Sequence, residues 1–423
     1  RMACWRVGIR TYSQGVPPAL PPRDRAPRLR PLAGIAGPLA VCGVVAAVLV
    51  GRETGWAGFG VGFVLALLPL PLLVFTFRWI DAVLPKPPRT LAFAFGWGAC
   101  VATLVALFAN GLLVRVLTGS SATLAPSHAD TLEMTVIAPV VEETVKAIAV
   151  LLVFLHRPEA FNGVLAGLVT AGMSAAGFAF TENILYLGSA FDQDLEWGPE
   201  TALDSATVVT FVVRIVLAPF AHPVFTALTG IGFGLAAMLG PERRGPRFGL
   251  PLLGLAAAML LHSVWNASTG LPFLGFAAVY ALVMVPVFAA LCWLASSARD
   301  RQLRLVRRTL PVYASAGWLS PEEPAALGSL GSRAASRRLA RHRHGPAGVR
   351  AVAEYQAAAT TLALLRERAD RGAAGPDFHT RERALLGRLW RQRVVAGPLT
   401  VASARTGPAA KAAADPAAAG RAG

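Results

Sequence analysis

Charge is what this sequence has least of. Only 15% of its 423 residues are Asp, Glu, Lys or Arg, against 54% hydrophobic, whereas soluble globular chains run nearer a quarter charged. That shortage excludes an ordinary water-soluble protein, and the hydrophobic content excludes disorder for the bulk of the chain. Acidic residues are scarcer than basic ones, 24 against 40. The basic surplus is confined to the ends: residues 31–296 hold 11 basic and 14 acidic side chains, leaving 29 and 10 for the flanks. An apolar, slightly acidic middle with basic ends is the pattern of a polytopic membrane protein anchored from the cytoplasmic side, so no nucleic-acid partner is expected. Cysteine is rare too. Cys4, Cys42, Cys100 and Cys292 form no CxxC and three sit in apolar runs, which excludes a disulfide framework or a zinc knuckle. No HExxH is present and no internal repeat is visible. The first absence means that any metal site must be assembled from different helices; the second counts against a transporter built from duplicated halves.

What is there is a series of long apolar segments. A membrane crossing takes about 20 mostly apolar residues, and eight segments qualify: 31–51, 55–77, 90–117, 131–155, 161–188, 206–239, 248–268 and 271–296. The first follows a Pro/Arg-rich arm without a small-residue cleavage site and reads as a span, not a signal peptide. The sixth is too long for one crossing, and Pro219 should divide it into an outer piece to Leu217 and a true span beyond. Arg78, Lys86, Arg89, Arg157, Arg243, Arg244 and Arg247 fall in alternate connections, while 118–130 has no Lys or Arg and 189–205 is acidic. By the positive-inside bias this places both termini in the cytoplasm, with Arg52 the one basic exception in an outer turn. The expectation is an all-α polytopic helix bundle of about eight transmembrane helices in the cell membrane, the lipid bilayer its constant partner.

Three regions follow: a basic arm over 1–30, a transmembrane domain over 31–296, and a basic Ala/Arg-rich cytoplasmic tail over 297–423. Ser320-Pro321-Glu322-Glu323 reads as a helix start, with a serine cap, an early proline and acid at the positive end of the dipole. Amphipathic helices are expected over 347–371 and 379–395, and disorder over 405–423. The tail reads as a regulatory or membrane-surface appendage.

The ionisable residues inside the spans carry the chemistry, because a charge in hydrocarbon costs several kcal/mol and survives where it is used. The fourth span has Glu142, Glu143 and Lys146, spaced so that both carboxylates reach the ammonium on one helical face. Two adjacent carboxylates in low dielectric cannot easily both ionise, and a nearby cation can hold one charged, an arrangement suited to a general base with a separate proton store. The fifth span places Phe178 and Glu182 four apart, followed by Asn183; the sixth has His222; the seventh has His262 and Asn266, again four apart. Two histidines and a glutamate suit catalytic zinc with a position left for water. Gly163, Gly167, Ala171, Gly172, Ser174, Ala175, Ala176 and Gly177, with Gly230, Gly232 and Gly234, read as surfaces for close helix packing.

The EExxK element (Glu142, Glu143, Lys146), the FxxxEN element (Phe178, Glu182, Asn183), the separate His222 and the HxxxN element (His262, Asn266) together resemble the PrsW family of intramembrane proteases. That family is similar to the wider CAAX-processing and bacteriocin-processing membrane proteases. The resemblance covers about 90–290, in order and each element on its own span. Asn266 stands where members of the PrsW branch often have Asp, and other branches place His where Glu182 stands. The resemblance implies endoproteolysis of a membrane-tethered protein substrate, an anti-sigma factor in the PrsW case. It is compatible with Glu142 or Glu143 deprotonating a water, with His222, His262 and Glu182 as ligands of a zinc cofactor, and with Asn266 as an oxyanion donor. Lys146, Phe178 and Asn183 are then supporting residues. The same residues also fit a metal-free activation of water, a proton-coupled secondary transporter, or a non-enzymatic membrane scaffold or sensor.

Overall fold

The computed structural model describes residues 33–119, 130–158, 161–240, 242–373, 375 and 377–406. The basic arm, Cys4, most of the 118–130 connection and the last residues of the tail lie outside that range. All regular structure among the described residues is helical. Seven helices are long and apolar enough to cross a membrane, and together they make an all-α polytopic bundle. The fourth expected span is present as π-helical Glu133–Ile137 running into a helix over Ala138–His156. Its three close-set charges, Glu142, Glu143 and Lys146, place its composition outside that apolar set.

In chain order the membrane part contains α1 (Ala33–Glu53), α2 (Gly55–Leu67), α3 (Leu70–Ile80), α4 (Pro88–Gly96), α5 (Thr103–Gly119), α6 (Ala138–His156), α7 (Val164–Trp197), α8 (Ala206–Phe211), α9 (Ala221–Ala236), α10 (Arg244–Thr269), α11 (Phe273–Val279) and α12 (Val285–Thr309). Proline sets several of the breaks. Pro69 divides the second crossing into α2 and α3, because it has no N–H to continue the ladder. At the sixth, α8 continues as π-helical Val212–Leu217, the backbone leaves helical geometry at Ala218, and α9 starts afresh beyond Pro219. Further π-helical segments lie at Trp97–Ala102 and Tyr280–Met284; such widened turns recur near functional sites.

The bundle is organised around α7. Of its 34 residues 21 are buried, among them every one from Leu165 to Ala179, and its small residues explain how. A Cβ on Gly167 would overlap the Gly230 carbonyl of α9, and one on Gly177 would overlap the Phe95 carbonyl of α4. Gly58 of α2 meets the Gly188 carbonyl, where a Cβ would come within 2.6 Å. Three partner helices therefore approach α7 backbone to backbone. In lipid, where no hydrophobic force drives helices together, this close packing supplies the attraction.

The eighth crossing does not stop at Ser296. α12 continues to Thr309 as a charged stalk, because backbone hydrogen bonding carries on where hydrocarbon ends. It leads through α13 (Pro311–Ser315) and α14 (Glu323–Leu327) into a hairpin of α15 (Leu330–Asp370) and α16 (Phe378–Thr406). The Ser320 N–H and hydroxyl both donate to Glu323 Oε2, at 2.7 and 3.0 Å. α15 kinks at Gly345, whose φ of 59° favours glycine, just before Pro346. The hairpin has its own core, including Val352, Tyr355, Leu362, Leu365, Leu386 and Leu389. Arg333 of α15, fully buried, ties it to the membrane part: it donates to the Val83 carbonyl at 2.5 Å, to the Gln356 carbonyl at 2.8 Å and to Thr360.

Candidate active site

α6, α7, α9 and α10 each bring one motif to a common point. α6 supplies Glu142, Glu143 and Lys146 from its first turns. All three are buried, Glu143 and Lys146 completely. Lys146 Nζ lies 3.2 Å from Glu142 Oε2, 2.9 Å from Glu143 Oε1 and 3.2 Å from His222 Nδ1. The Phe178 ring of α7 covers the same ammonium at 3.8 Å from its centroid. One cation thus holds two carboxylates and an imidazole, with an aromatic face in place of water.

Glu143 has three partners. Besides Lys146 it accepts from Thr226 Oγ1 of α9 at 2.7 Å and pairs with His262 Nδ1 of α10 at 3.1 Å. An ionised carboxylate only accepts, so these contacts assign the proton to His262 Nδ1. The lone pair on Nε2 then faces the cluster, where Glu142 Oε2 lies 3.9 Å away. His262 is further fixed by stacking on Phe225, ring centroids 4.7 Å apart. A carboxylate that orients a histidine from behind is the usual support of a metal ligand.

His222 is held between Lys146 on Nδ1 and Glu182 on Nε2, the latter at 2.6 Å. The Glu182 carboxylate is also paired with Arg214, whose Nε donates to Asn183 Oδ1 at 2.9 Å. Arg214 was not among the residues singled out from the sequence, although an arginine between Val208 and Leu217 in an apolar segment is itself a functional signal. It rides on the π-helical Val212–Leu217 and stacks on Tyr186, 3.9 Å from the ring centroid. Thr226 was missed as well, since a threonine in a span carries no distinctive signal.

Glu142, His222 and His262 can each offer an atom within 4.8 Å of the others'. This group shares both histidines with the ligand set expected from the sequence, but its carboxylate is Glu142; Glu182 stands to one side, between His222 and Arg214. Asn266, one turn past His262, donates to the Met134 carbonyl at 2.9 Å and so ties α10 to the π-helical turn ahead of α6.

The motifs, their order and their convergence can be set against known proteins. Residues 86–291 match the PrsW family intramembrane metalloprotease. This stretch belongs to the PrsW family. It includes every site residue named above and stops short of the α15–α16 hairpin. No curated protein and no solved structure matches the chain. The match supports an intramembrane protease, and the candidate site is assembled from four helices, unlike the single-helix HExxH motif of soluble zinc proteases.

Proposed function

We propose that this cluster hydrolyses a peptide bond in a membrane-tethered protein, with Glu142, His222 and His262 holding a zinc ion. The observation that carries the reading is the buried meeting of these three side chains from three helices. Two imidazoles and a carboxylate are a catalytic zinc donor set that leaves a position for water. When bound, zinc supplies Lewis acidity for the scissile carbonyl and for a water. His262 is preorganised by Glu143. His222 has both ring nitrogens engaged by Lys146 and Glu182, so taking up the ion requires one of them to let go. Glu143, fully buried with three donors on its two oxygens, serves in this reading to orient His262. Glu182, on the less buried side beside His222, takes the proton of the attacking water. Arg214 and Asn183 position Glu182. Asn266 spends one N–H on Met134 and keeps the other for the developing oxyanion.

The substrate class follows from the setting and the family: a protein with a span of its own, an anti-sigma factor being one candidate. The alternation of basic and acidic connections supports a site reached from the outer face and cleavage near that end of the substrate's span.

The test uses the purified chain in lipid with a membrane-tethered reporter substrate. His262→Ala and Glu142→Gln should lose both zinc and cleavage. Glu182→Gln should keep zinc and lose cleavage. Cleavage that survives in His262→Ala would overturn the reading. Full activity after stringent chelation, with no metal bound, would instead leave Glu142 and His262 to activate water directly.

A further inference from the structure

The tail is not simply appended to the membrane part; a cavity of about 730 Å³ lies along the seam between them. One wall is formed where membrane helices begin or end: Val164 and Leu165 in the first turn of α7, Met238 just past α9, and Ala298 on α12. The facing wall is the end of α15, from Leu364 to Arg371. Six arginines line it against two acidic residues, Glu367 and Asp370.

The arginines divide into two groups. Arg366 Nε pairs with Asp370 at 3.3 Å, Arg371 pairs with Glu367, and Arg368 donates to the Ala237 carbonyl at 2.8 Å. Arg301, Arg304 and Arg308 make no hydrogen bond or ion pair with any described residue. Their spacing of three and four puts them on one face of α12, and all three line the cavity. The lining also has an apolar part, made of Leu305, Val312, Val164, Leu165 and Met238.

We infer that this cavity binds the headgroup of an anionic glycerophospholipid. Three unpartnered guanidiniums match a phosphodiester, which they can hold by charge-assisted forked hydrogen bonds. The volume is in the range of a whole small ligand, far beyond one inorganic phosphate. The apolar wall at the level where the spans end suits the glycerol and the first part of the acyl chains, which a soluble anion does not possess. Basic pockets at the cytoplasmic ends of helices are a known way for membrane proteins to take such lipids. Because the lining comes from α15 on one side and from α7, α12 and the turn after α9 on the other, a bound lipid bridges the tail and the membrane domain. The site contains none of the proposed catalytic residues, so its test is independent of proteolysis.

The full chain, purified in detergent, is titrated with short-chain phosphatidylglycerol, short-chain phosphatidylcholine or inorganic phosphate while its thermal unfolding is followed. Phosphatidylglycerol alone should raise the midpoint in a saturable way. The triple variant R301Q/R304Q/R308Q should bind it about 100-fold more weakly, at roughly 1 kcal/mol per arginine. The control R341Q/R343Q/R350Q removes the same charge from exposed positions on α15 and should bind like the parent. The single Arg304→Glu exchange gives the same ranking should the triple variant fold poorly. An equal response to phosphatidylcholine or to inorganic phosphate, or an equal loss in the control triple variant, would overturn the inference.

Discussion

Lys146 is the residue on which the site's electrostatics turn. Fully buried, it touches Glu142, Glu143 and His222 within 3.2 Å, so removing it leaves two adjacent carboxylates without their cation. Breaking a buried pair costs about 3–5 kcal/mol because the surviving charge is uncompensated. Lys146→Met should therefore lower the thermal midpoint in detergent sharply, and Glu142→Gln added to it should recover part of the loss by removing one of those charges. A double-mutant cycle that comes out additive would show the pair to be uncoupled. Arg214 is expected to behave differently, since its contacts with Glu182 and Asn183 lie at the more open edge of the cluster. Arg214→Gln should leave folding and bound zinc nearly unchanged and reduce kcat, a combination that metal analysis and steady-state cleavage can separate.

At the scale of elements, α7 decides the architecture and its glycines decide α7. Gly167 allows α9 to approach until backbone meets backbone, and this contact sits on the two helices that carry Glu182 and His222. Gly167→Ala should cost about 1–3 kcal/mol by overpacking and should also reduce cleavage, because the two helices must part. Gly60 on α2 has nothing within 4 Å of where a Cβ would stand. Gly60→Ala should stay within about 0.5 kcal/mol of the parent. Equal midpoints for the two variants would show that the contact does not hold α7 to α9. The broken sixth crossing is the other element that matters: separating Val212–Leu217 from α9 lets Arg214 and His222 reach Glu182 from different directions.

For the whole molecule, the membrane part and the tail are joined at the loop between α3 and α4. There Asp81 and Lys86 pair at 3.2 Å; burial pushes the Asp81 carboxyl up and the Lys86 ammonium down, and Arg333 closes onto the Val83 carbonyl. If the basic loops are cytoplasmic, this whole junction is too. A reporter fused at Gly198 should then be found outside and one at Gly245 inside. Finding Gly198 in the cytoplasm would reverse the bundle and move the proposed cleavage to the other membrane face.

The sequence by itself determined that the chain crosses a membrane many times, because apolar runs about 20 residues long have few other places to go. It also marked most of the ionisable residues that lie within the spans. Glu142, Glu143, Lys146, Glu182, His222 and His262 stood out because burying charge in hydrocarbon is costly whatever the fold, and the division of the sixth crossing followed from proline's missing N–H. What only the tertiary structure decided was the partnership among those residues. Whether Glu142 or Glu182 joins the two histidines depends on the rotation and depth of four helices, and those are set by glycine contacts between segments far apart in the chain. Arg214 reads as an isolated arginine until α7 brings Glu182 and Asn183 to it. The tail's amphipathic stretches showed a helical period, but not that they would fold back on each other and dock through Arg333, since a helix's apolar face does not name its partner.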